Sequence, residues 1–178
     1  MHAMDRRQLA TAIFERSHLT GEFLLRSGQV SHEYFDKYRF EADPQLLRAI
    51  AHALAPHVPD DTDVLAGLEL GGVPLAVMLG QVTGIPTTFV RKAAKAYGTR
   101  KVAEGADVDG ARVVVIEDVV TSGGQVIAST DDLRALGAVV EHAVCVIDRE
   151  AGGGDALAEE GVVLRPLFTM SQLKALRG

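Results

Sequence analysis

Short apolar runs alternate with stretches of helical hydrophobic period along the whole chain, and this alternation predicts an α/β fold. The runs expected to form strands of the main sheet lie at 64–67, 87–91, 113–116, 139–147 and 162–164. Helices are expected at 5–17, 43–55, 71–82, 125–137, 155–160 and 171–176. Two shorter strands, 21–25 and 34–36, flank a Ser-Gly turn. We therefore expect a single domain over 1–178, with a mainly parallel sheet flanked by helices.

Three polar segments follow the predicted ends of strands, at 69–74, 91–105 and 117–125. Ligands of open parallel sheets bind at the carboxyl ends of the strands. We therefore expect these three segments to converge on one edge of the sheet and to form the binding site there.

The most informative segment is Arg112–Gln125, RVVVIEDVVTSGGQ. Its apolar run predicts a buried parallel strand, and two acids, Glu117 and Asp118, follow that run. Small and hydroxyl residues at 121–125, between a strand end and a helix start, are typical of a phosphate-binding loop. Because carboxylates accept hydrogen bonds from vicinal hydroxyls, the segment predicts a site for a ribose 5-phosphate. The alternative is an ordinary strand-to-helix turn with two exposed acids.

A basic segment follows the strand at 87–91. Arg91, Lys92 and Lys95 place three cations within five residues, and 92–105 holds almost no large apolar side chain. Such a segment buries little surface, so we expect a mobile loop over 92–105. Its cations would stabilise negative charge on an anionic ligand, and the loop would close over the site. The alternative is a solvated basic loop.

The composition of the chain argues against several classes of function. The net charge of −6 and the pI near 5.5 argue against a general nucleic-acid binder. The one cysteine, Cys145, lies in an apolar strand run, which favours a packed core thiol. The sequence shows no secretory apolar region and no apolar run of membrane length, so we expect a cytoplasmic protein without a membrane partner. The six histidines show no metal-ligand spacing.

Val113–Gln125 resembles the 13-residue signature of type I phosphoribosyltransferases, which bind phosphoribosyl pyrophosphate (PRPP). Three further segments are similar to orotate phosphoribosyltransferases and occur in that family's order: Thr20–Gly28 with Ser31, Tyr34, Phe35 and Asp36; the RKxxK motif from Arg91 to Lys95; and Asp148-Arg149-Glu150. The similarity covers about Leu19 to Leu167. It implies the type I phosphoribosyltransferase fold with a small N-terminal hood at about 19–40.

The resemblance implies an activity as well. That activity is transfer of phosphoribose from PRPP to N1 of orotate, which gives orotidine 5′-monophosphate and pyrophosphate in pyrimidine synthesis. The implied cofactor is Mg²⁺, held mainly through PRPP rather than by protein ligands. The implied partners are PRPP, orotate and a second copy of the chain, with 92–105 acting as a catalytic loop across the dimer interface.

The resemblance also assigns site residues. The catalytic set is Arg91, Lys95, Glu117 and Asp118. The PRPP-binding set is Arg26, Gly71, Arg91, Lys92, Lys95, Tyr97, Glu117, Asp118, Val119, Val120, Thr121, Ser122, Gly123, Gly124 and Gln125. The orotate-binding set is Arg26, Tyr34, Phe35, Thr121 and Arg149, in which an arginine suits the orotate carboxylate.

Three positions depart from the commonest family pattern. Arg26 and Gly71 stand where many relatives have lysine, and Tyr97 stands where they have histidine. Two alternatives therefore stay open. One is a phosphoribosyltransferase for a different base, and the other is a PRPP-sensing regulator without the chemistry. The complete RKxxK motif, the acidic charge and the lack of an added DNA-binding segment argue against the regulator.

Overall fold

A six-stranded sheet and a separate two-stranded sheet organise the chain. The computed structural model describes residues 4–25, 27–93 and 102–176. The strands are β1 (His18–Leu24), β2 (Val30–Phe35), β3 (Val64–Leu68), β4 (Thr87–Val90), β5 (Ala103–Gly105), β6 (Arg112–Val120), β7 (Val139–Asp148) and β8 (Val163–Thr169). The helices are α1 (Arg6–Ser17), α2 (Tyr38–Glu41), α3 (Pro44–Leu54), α4 (Gly72–Thr83), α5 (Gly124–Ala135), α6 (Gly153–Glu159) and α7 (Met170–Leu176), with a 3₁₀ turn at Ala55–His57.

The larger sheet has the strand order β5-β4-β3-β6-β7-β8. Its neighbouring strands are parallel except β5, which pairs antiparallel with β4. The expected mainly parallel sheet is therefore confirmed. β8 continues through Pro166, which an edge strand tolerates because one side of its backbone needs no partner.

Local capping explains where two helices begin. The Asp5 side chain accepts a hydrogen bond from the backbone N–H of Gln8, and the Gln8 side chain accepts one from Asp5. Asp43 caps α3 by accepting from the backbone N–H groups of Gln45 and Leu46, with proline at the first helical position. Both starts agree with the sequence prediction.

The core lies on both faces of the larger sheet, because successive side chains of a strand point to opposite faces. Val114 and Ile116 of β6 face a cluster that includes α1, α3, α4 and α7. Val113 and Val115 face a second cluster with α5 and α6. Cys145 is fully buried in that second cluster, as expected of a core thiol. Within the described residues, no helix is long and apolar enough to cross a membrane.

The small sheet forms the N-terminal hood. β1 and β2 pair antiparallel, with a register shift between Thr20 and Phe23. The Phe23 and Tyr34 rings stack at a centroid distance of 5.4 Å on this sheet. The Phe35 ring lies against Phe14 of α1 at 6.3 Å, so it joins the hood to the body of the domain.

Several sequence expectations differ from the structure. The strand predicted at 34–36 begins at Val30, and the last strand, predicted at 162–164, continues to Thr169. The strand predicted to end at residue 116 continues to Val120, because 119 and 120 pair with β7, and the two acids therefore lie inside β6. The loop predicted over 92–105 contains β5 at its end, since Ala103–Gly105 pairs with β4. The four-residue helix α2 was not expected, because one helical turn carries no periodic pattern. The middle of the predicted loop, 94–101, lies outside the described residues.

Candidate active site

The three polar segments meet at the carboxyl edge of the sheet, as the sequence predicts. The backbone N–H of Lys92 donates to Glu69 Oε2 at 3.1 Å, which joins the first two segments. A Cβ atom added to Gly71 would overlap Asp118 Oδ2, so the first and third segments are in direct contact. Gly71 is therefore a position where the missing side chain makes room for an acid of β6.

The predicted phosphate loop lies between β6 and α5. Gly123 has φ of 81°, a left-handed conformation that glycine adopts without strain, and α5 begins at the next residue. Thr121 and Ser122 are exposed, which leaves their hydroxyls accessible. A cavity of about 130 Å³ is lined by Glu117, Val119, Val120, Thr121, Ser122, Gly123, Gly124, Gln125 and Val126. The backbone N–H groups of this helix start suit an anion of phosphate size.

The two acids of β6 are adjacent in the strand and have different further neighbours. Glu117 lines the cavity of the phosphate loop and is 8% exposed. Asp118 is fully buried at 0% exposure and lies on the α4 side, beside Gly71. The alternative of an ordinary turn with two exposed acids is therefore wrong.

Two further charged residues, Lys37 and Glu41, complete this group. Lys37, at the end of the hood, places its Nζ atom 2.7 Å from Asp118 Oδ2. Glu41 of α2 is buried, and its Oε1 atom would lie 2.8 Å from a Cβ on Gly71. A lysine and a glutamate four residues apart normally indicate an exposed helical pair, so the sequence offers no signal for a buried role. We call Lys37, Glu41, Glu117 and Asp118 the acid cluster.

The acid cluster holds one ion pair and two neutral acids near neutral pH. Burial, with the hydrogen bond and negative charge of Asp118, raises the pKa of Glu41 to about 9. Burial and the charge of Asp118 raise the pKa of Glu117 to about 8. Burial alone would raise the pKa of Asp118, but hydrogen bonds from Glu41, Glu117 and Lys37 and the Lys37 charge hold it below its ordinary value. Asp118 is therefore the group that stays ionised.

The basic segment is described only in part. The Arg91 Nε atom lies 3.5 Å from Glu104 Oε1, and the Arg91 backbone N–H donates to Val102 at 2.8 Å. Lys92 is exposed next to it. Lys95 and Tyr97, like Arg26 of the hood, lie outside the described residues, so their assigned roles stay predictions.

Arg149 follows β7 at the same edge of the sheet. Its backbone N–H donates to the Val120 carbonyl at 2.9 Å, and its side chain is exposed. Asp148 Oδ1 accepts from the backbone N–H of Glu150 at 2.9 Å, and no ion pair joins Asp148 to Arg149 in the part of the chain that the structure describes. An ion pair between Asp148 and Arg149 therefore does not hold the turn after β7.

The turn after Arg149 is held by α7 instead. Glu150 has φ of 58°, which is uncommon for a residue other than glycine. Its Oε2 atom accepts from the backbone N–H of Ser171 at 2.9 Å and from the Ser171 hydroxyl at 2.5 Å. Arg149 is thus fixed at its backbone while its guanidinium group stays available to a ligand.

The two hood aromatics face different surroundings. Tyr34 is 45% exposed, with its ring on the surface of the hood, whereas Phe35 packs toward the core. The hood therefore presents the Tyr34 ring at its surface. Their assigned contact with orotate stays a prediction.

Known proteins of one family resemble this chain over most of its length. Residues 38–165 match the family model of the phosphoribosyl transferase domain. The orotate phosphoribosyltransferase of Nocardioides sp. is 54% identical over 169 residues, which cover 95% of this chain and 94% of that protein. That of Halobacterium salinarum is 48% identical over 153 residues, 86% of this chain and 87% of that protein.

A solved structure of an orotate phosphoribosyltransferase has a similar fold. The crystal structure of Mycobacterium tuberculosis orotate phosphoribosyltransferase in complex with PRPP matches with a TM-score of 0.83 at 28% identity, and the match covers 96% of this chain and 99% of that one. The family model spans most of the chain, and relatives of high identity cover nearly all of it. This chain therefore belongs to the type I phosphoribosyltransferase family and, within it, to the orotate phosphoribosyltransferases.

Proposed function

We propose that this protein transfers the phosphoribosyl group of PRPP to N1 of orotate, with release of pyrophosphate and formation of orotidine 5′-monophosphate. The observation that carries the proposal is the meeting, at one sheet edge, of a phosphate loop, two buried acids and an available arginine. The similarity to orotate phosphoribosyltransferases over nearly the whole chain supports it. The reaction is a step of pyrimidine synthesis.

The phosphate loop would bind the 5-phosphate of PRPP. The N-terminus of α5 favours negative charge, and its free N–H groups, with the hydroxyls of Thr121 and Ser122, can donate to phosphate oxygens. The ribose hydroxyls would then lie near Glu117, which lines the same cavity, and near Asp118 behind it. Binding at both ends of the sugar phosphate fixes the anomeric carbon in place for attack.

The reaction requires stabilisation of developing charge and does not require a nucleophile from the protein. The bond between the anomeric carbon and the pyrophosphate oxygen breaks, and the ring becomes oxocarbenium-like. Orotate N1, whose proton passes to water, forms the new bond to the anomeric carbon. Negative charge builds on the leaving pyrophosphate, where Arg91, Lys92 and Lys95 would stabilise it. The backbone of Gly71 and the side chains of Tyr97 and Arg26 belong to the same proposed PRPP site.

Orotate would bind between the hood and the turn after β7. The planar fork of the Arg149 guanidinium matches the orotate carboxylate with two parallel hydrogen bonds. Tyr34 and Phe35 would contact the pyrimidine ring from the hood. Arg26 and Thr121 would add polar contacts to the base.

Mg²⁺ belongs to the same proposal as an ion carried by PRPP. Among residues 4–25, 27–93 and 102–176, no group of three or more His, Cys, Asp or Glu side chains is placed to hold a metal ion. The Lys37 ammonium already lies 2.7 Å from Asp118 Oδ2, so that carboxylate has a cation beside it. Mg²⁺ would therefore reach the site with PRPP, whose phosphate and hydroxyl oxygens are the hard ligands that this ion prefers. When bound, Mg²⁺ neutralises charge on the leaving group.

We also propose a homodimer in which the catalytic loop over 92–105 serves the partner's site. The support is the resemblance of the RKxxK motif, Arg91 to Lys95, to the loop that orotate phosphoribosyltransferases share across their interface. An isologous two-fold arrangement would give each protomer one complete site.

The first test is the disappearance of orotate, followed by its ultraviolet absorbance, with purified protein, PRPP and Mg²⁺. We expect loss of orotate that needs both PRPP and Mg²⁺. The Asp118→Asn variant should lower kcat/KM for PRPP by roughly 10²-fold, because a neutral amide accepts ribose hydroxyls less well.

The other outcomes identify the alternatives. Turnover of a different free base, but not of orotate, would contradict the acceptor. PRPP binding by thermal shift with no turnover of any base would contradict the transfer reaction and favour a sensing role. The absence of both turnover and PRPP binding would contradict the proposed function as a whole.

A further inference from the structure

The acid cluster joins the hood to the sheet through one buried ion pair. Lys37 is the second residue after β2, and its ammonium lies 2.7 Å from Asp118 Oδ2. The Lys37 side chain is 34% exposed, whereas the Asp118 side chain is fully buried. A second contact of the ammonium is the Tyr38 ring, whose centroid is 5.3 Å away. The lysine is therefore a partly exposed group whose ammonium reaches the buried acid.

A buried cluster of this kind lowers the stability of a fold. Removing a carboxylate and an ammonium group from water costs several kcal/mol each, and their attraction offsets this only with good geometry. A core of apolar side chains would normally be at least as stable. The chain nevertheless places three carboxyl groups here, and it leaves position 71 without a side chain so that Asp118 fits. This points to a functional reason for keeping Asp118 both buried and ionised.

The surrounding groups determine the state of Asp118. Its Oδ1 atom accepts from the backbone N–H of Val119 at 2.6 Å, and its Oδ2 atom faces Lys37. Glu41 and Glu117 also face it, and both are acids whose charge would repel that of Asp118. Among the described residues, Lys37 supplies an ammonium group that opposes this repulsion. Without it, three adjacent carboxyl groups would share protons, and Asp118 would lose both its charge and its fixed orientation.

We propose that Lys37 is a positioning residue for phosphoribosyl transfer: its ammonium group holds the Asp118 carboxylate ionised and oriented at the edge where PRPP binds. The inference rests on the proposed function, since it assigns Lys37 a role through an acid of that site. Lys37 also ends the hood, so the same ion pair ties the position of the hood to the state of the ribose-binding acid.

The first experiment compares Lys37→Met, Lys37→Arg and wild type, with Lys174→Met, an exposed lysine of α7, as a matched control. Affinity for PRPP alone is measured by calorimetry, and kcat and KM are measured across pH. We expect Lys37→Met to weaken PRPP binding by about 10-fold or more and to move the acid limb of the pH profile upward, because Asp118 takes up a proton more easily. Lys37→Arg should restore most of both properties, and Lys174→Met should match wild type.

A double variant separates positioning from folding. If Lys37 acts through Asp118, then Lys37→Met/Asp118→Asn should bind PRPP as Asp118→Asn does, within about twofold, because no carboxylate remains to be held. This variant also avoids an unpaired buried charge, so it can be measured even if Lys37→Met alone fails to fold. A further loss of about 10-fold beyond Asp118→Asn would overturn the proposal.

The remaining outcomes are equally decisive. An unchanged pH profile and unchanged PRPP affinity in folded Lys37→Met would overturn the role of Lys37 and leave the proposed function standing. Wild-type protein that binds no PRPP would overturn the proposed function, and the inference would fall with it. Wild-type protein that binds PRPP but turns over no base would overturn the transfer reaction, and unchanged PRPP affinity in Lys37→Met would then overturn the role of Lys37 as well.

Discussion

Asp118 shows how the chemistry of a single residue depends on side chains far from it in sequence. On a strand between two helical layers, an aspartate would normally take up a proton rather than stay charged. Lys37 supplies the opposite charge, and Glu41, neutral near pH 7, can donate a hydrogen bond to the carboxylate. Gly71 supplies the space. Lys37, Glu41 and Gly71 thus each stabilise or accommodate the same carboxylate, that of Asp118.

The raised pKa of Glu41 predicts a pH-dependent stability. Between its ordinary value of 4.5 and about 9, the unfolded chain loses the Glu41 proton while the folded chain keeps it. The folded state binds more protons in this window, so the wild-type free energy of unfolding falls as pH rises, at most by about 1.4 kcal/mol per pH unit from this group. In Glu41→Gln the side chain keeps its shape and a hydrogen-bond donor, but its amide group does not titrate.

We therefore expect the stability of Glu41→Gln, relative to wild type, to increase between about pH 5 and about pH 9. Urea unfolding of the ligand-free proteins at several pH values measures it. Glu159→Gln, at an exposed position of α6, is the control and should show a constant difference from wild type. A constant difference for Glu41→Gln as well would show that Glu41 titrates normally in the folded protein.

At the scale of elements, hydrophobic period and local capping were enough to predict most strands and helices. The phosphate loop at 121–125 could also be predicted, because strand, small residues and helix follow one another directly in sequence. Lys37 and Glu41 could not be predicted, because their partner Asp118 is distant in the chain and meets them only after folding. The extension of β6 through Val120 depends on pairing with β7, which no local pattern shows.

Helix α6 supports the phosphate loop by close backbone contact. A Cβ on Gly153 would lie 2.5 Å from the Thr121 carbonyl oxygen and 2.7 Å from Val120 Cγ1. Gly153→Ala should therefore displace the loop and weaken PRPP binding by about 10-fold or more, because binding needs exact placement of the loop N–H groups. Gly154 is the matched control, since a Cβ there meets nothing within 4 Å.

Both substitutions replace a glycine of the same helix by alanine, so both gain helix propensity of up to about 1 kcal/mol. Gly154→Ala should keep wild-type PRPP affinity and have an equal or higher melting temperature. Calorimetric titration with PRPP, and with inorganic phosphate as a probe of the loop alone, distinguishes the two variants. Equal affinities in both would show that α6 does not position the loop.

At the scale of the whole molecule, the site depends on contacts between distant parts of the chain. Lys37 comes from the end of the hood, Asp118 from the centre of the sheet, and the Glu150 turn is held by Ser171 of α7. A change that loosens the hood or α7 should therefore affect ligand binding before it unfolds the sheet. The proposed dimer would add one more distant contributor, the loop of a second copy.

The shared loop can be tested by mixing two inactive variants. Lys95→Ala removes a loop cation and Arg149→Ala removes a residue of the β7 edge, so each homodimer should be nearly inactive. If the loop serves the partner's site, a heterodimer contains one site with both defects and one with neither. Random exchange of protomers should then restore roughly a quarter of wild-type activity. If the loop serves its own protomer's site, every site carries one defect, and the mixture should stay inactive although light scattering shows that dimers have formed.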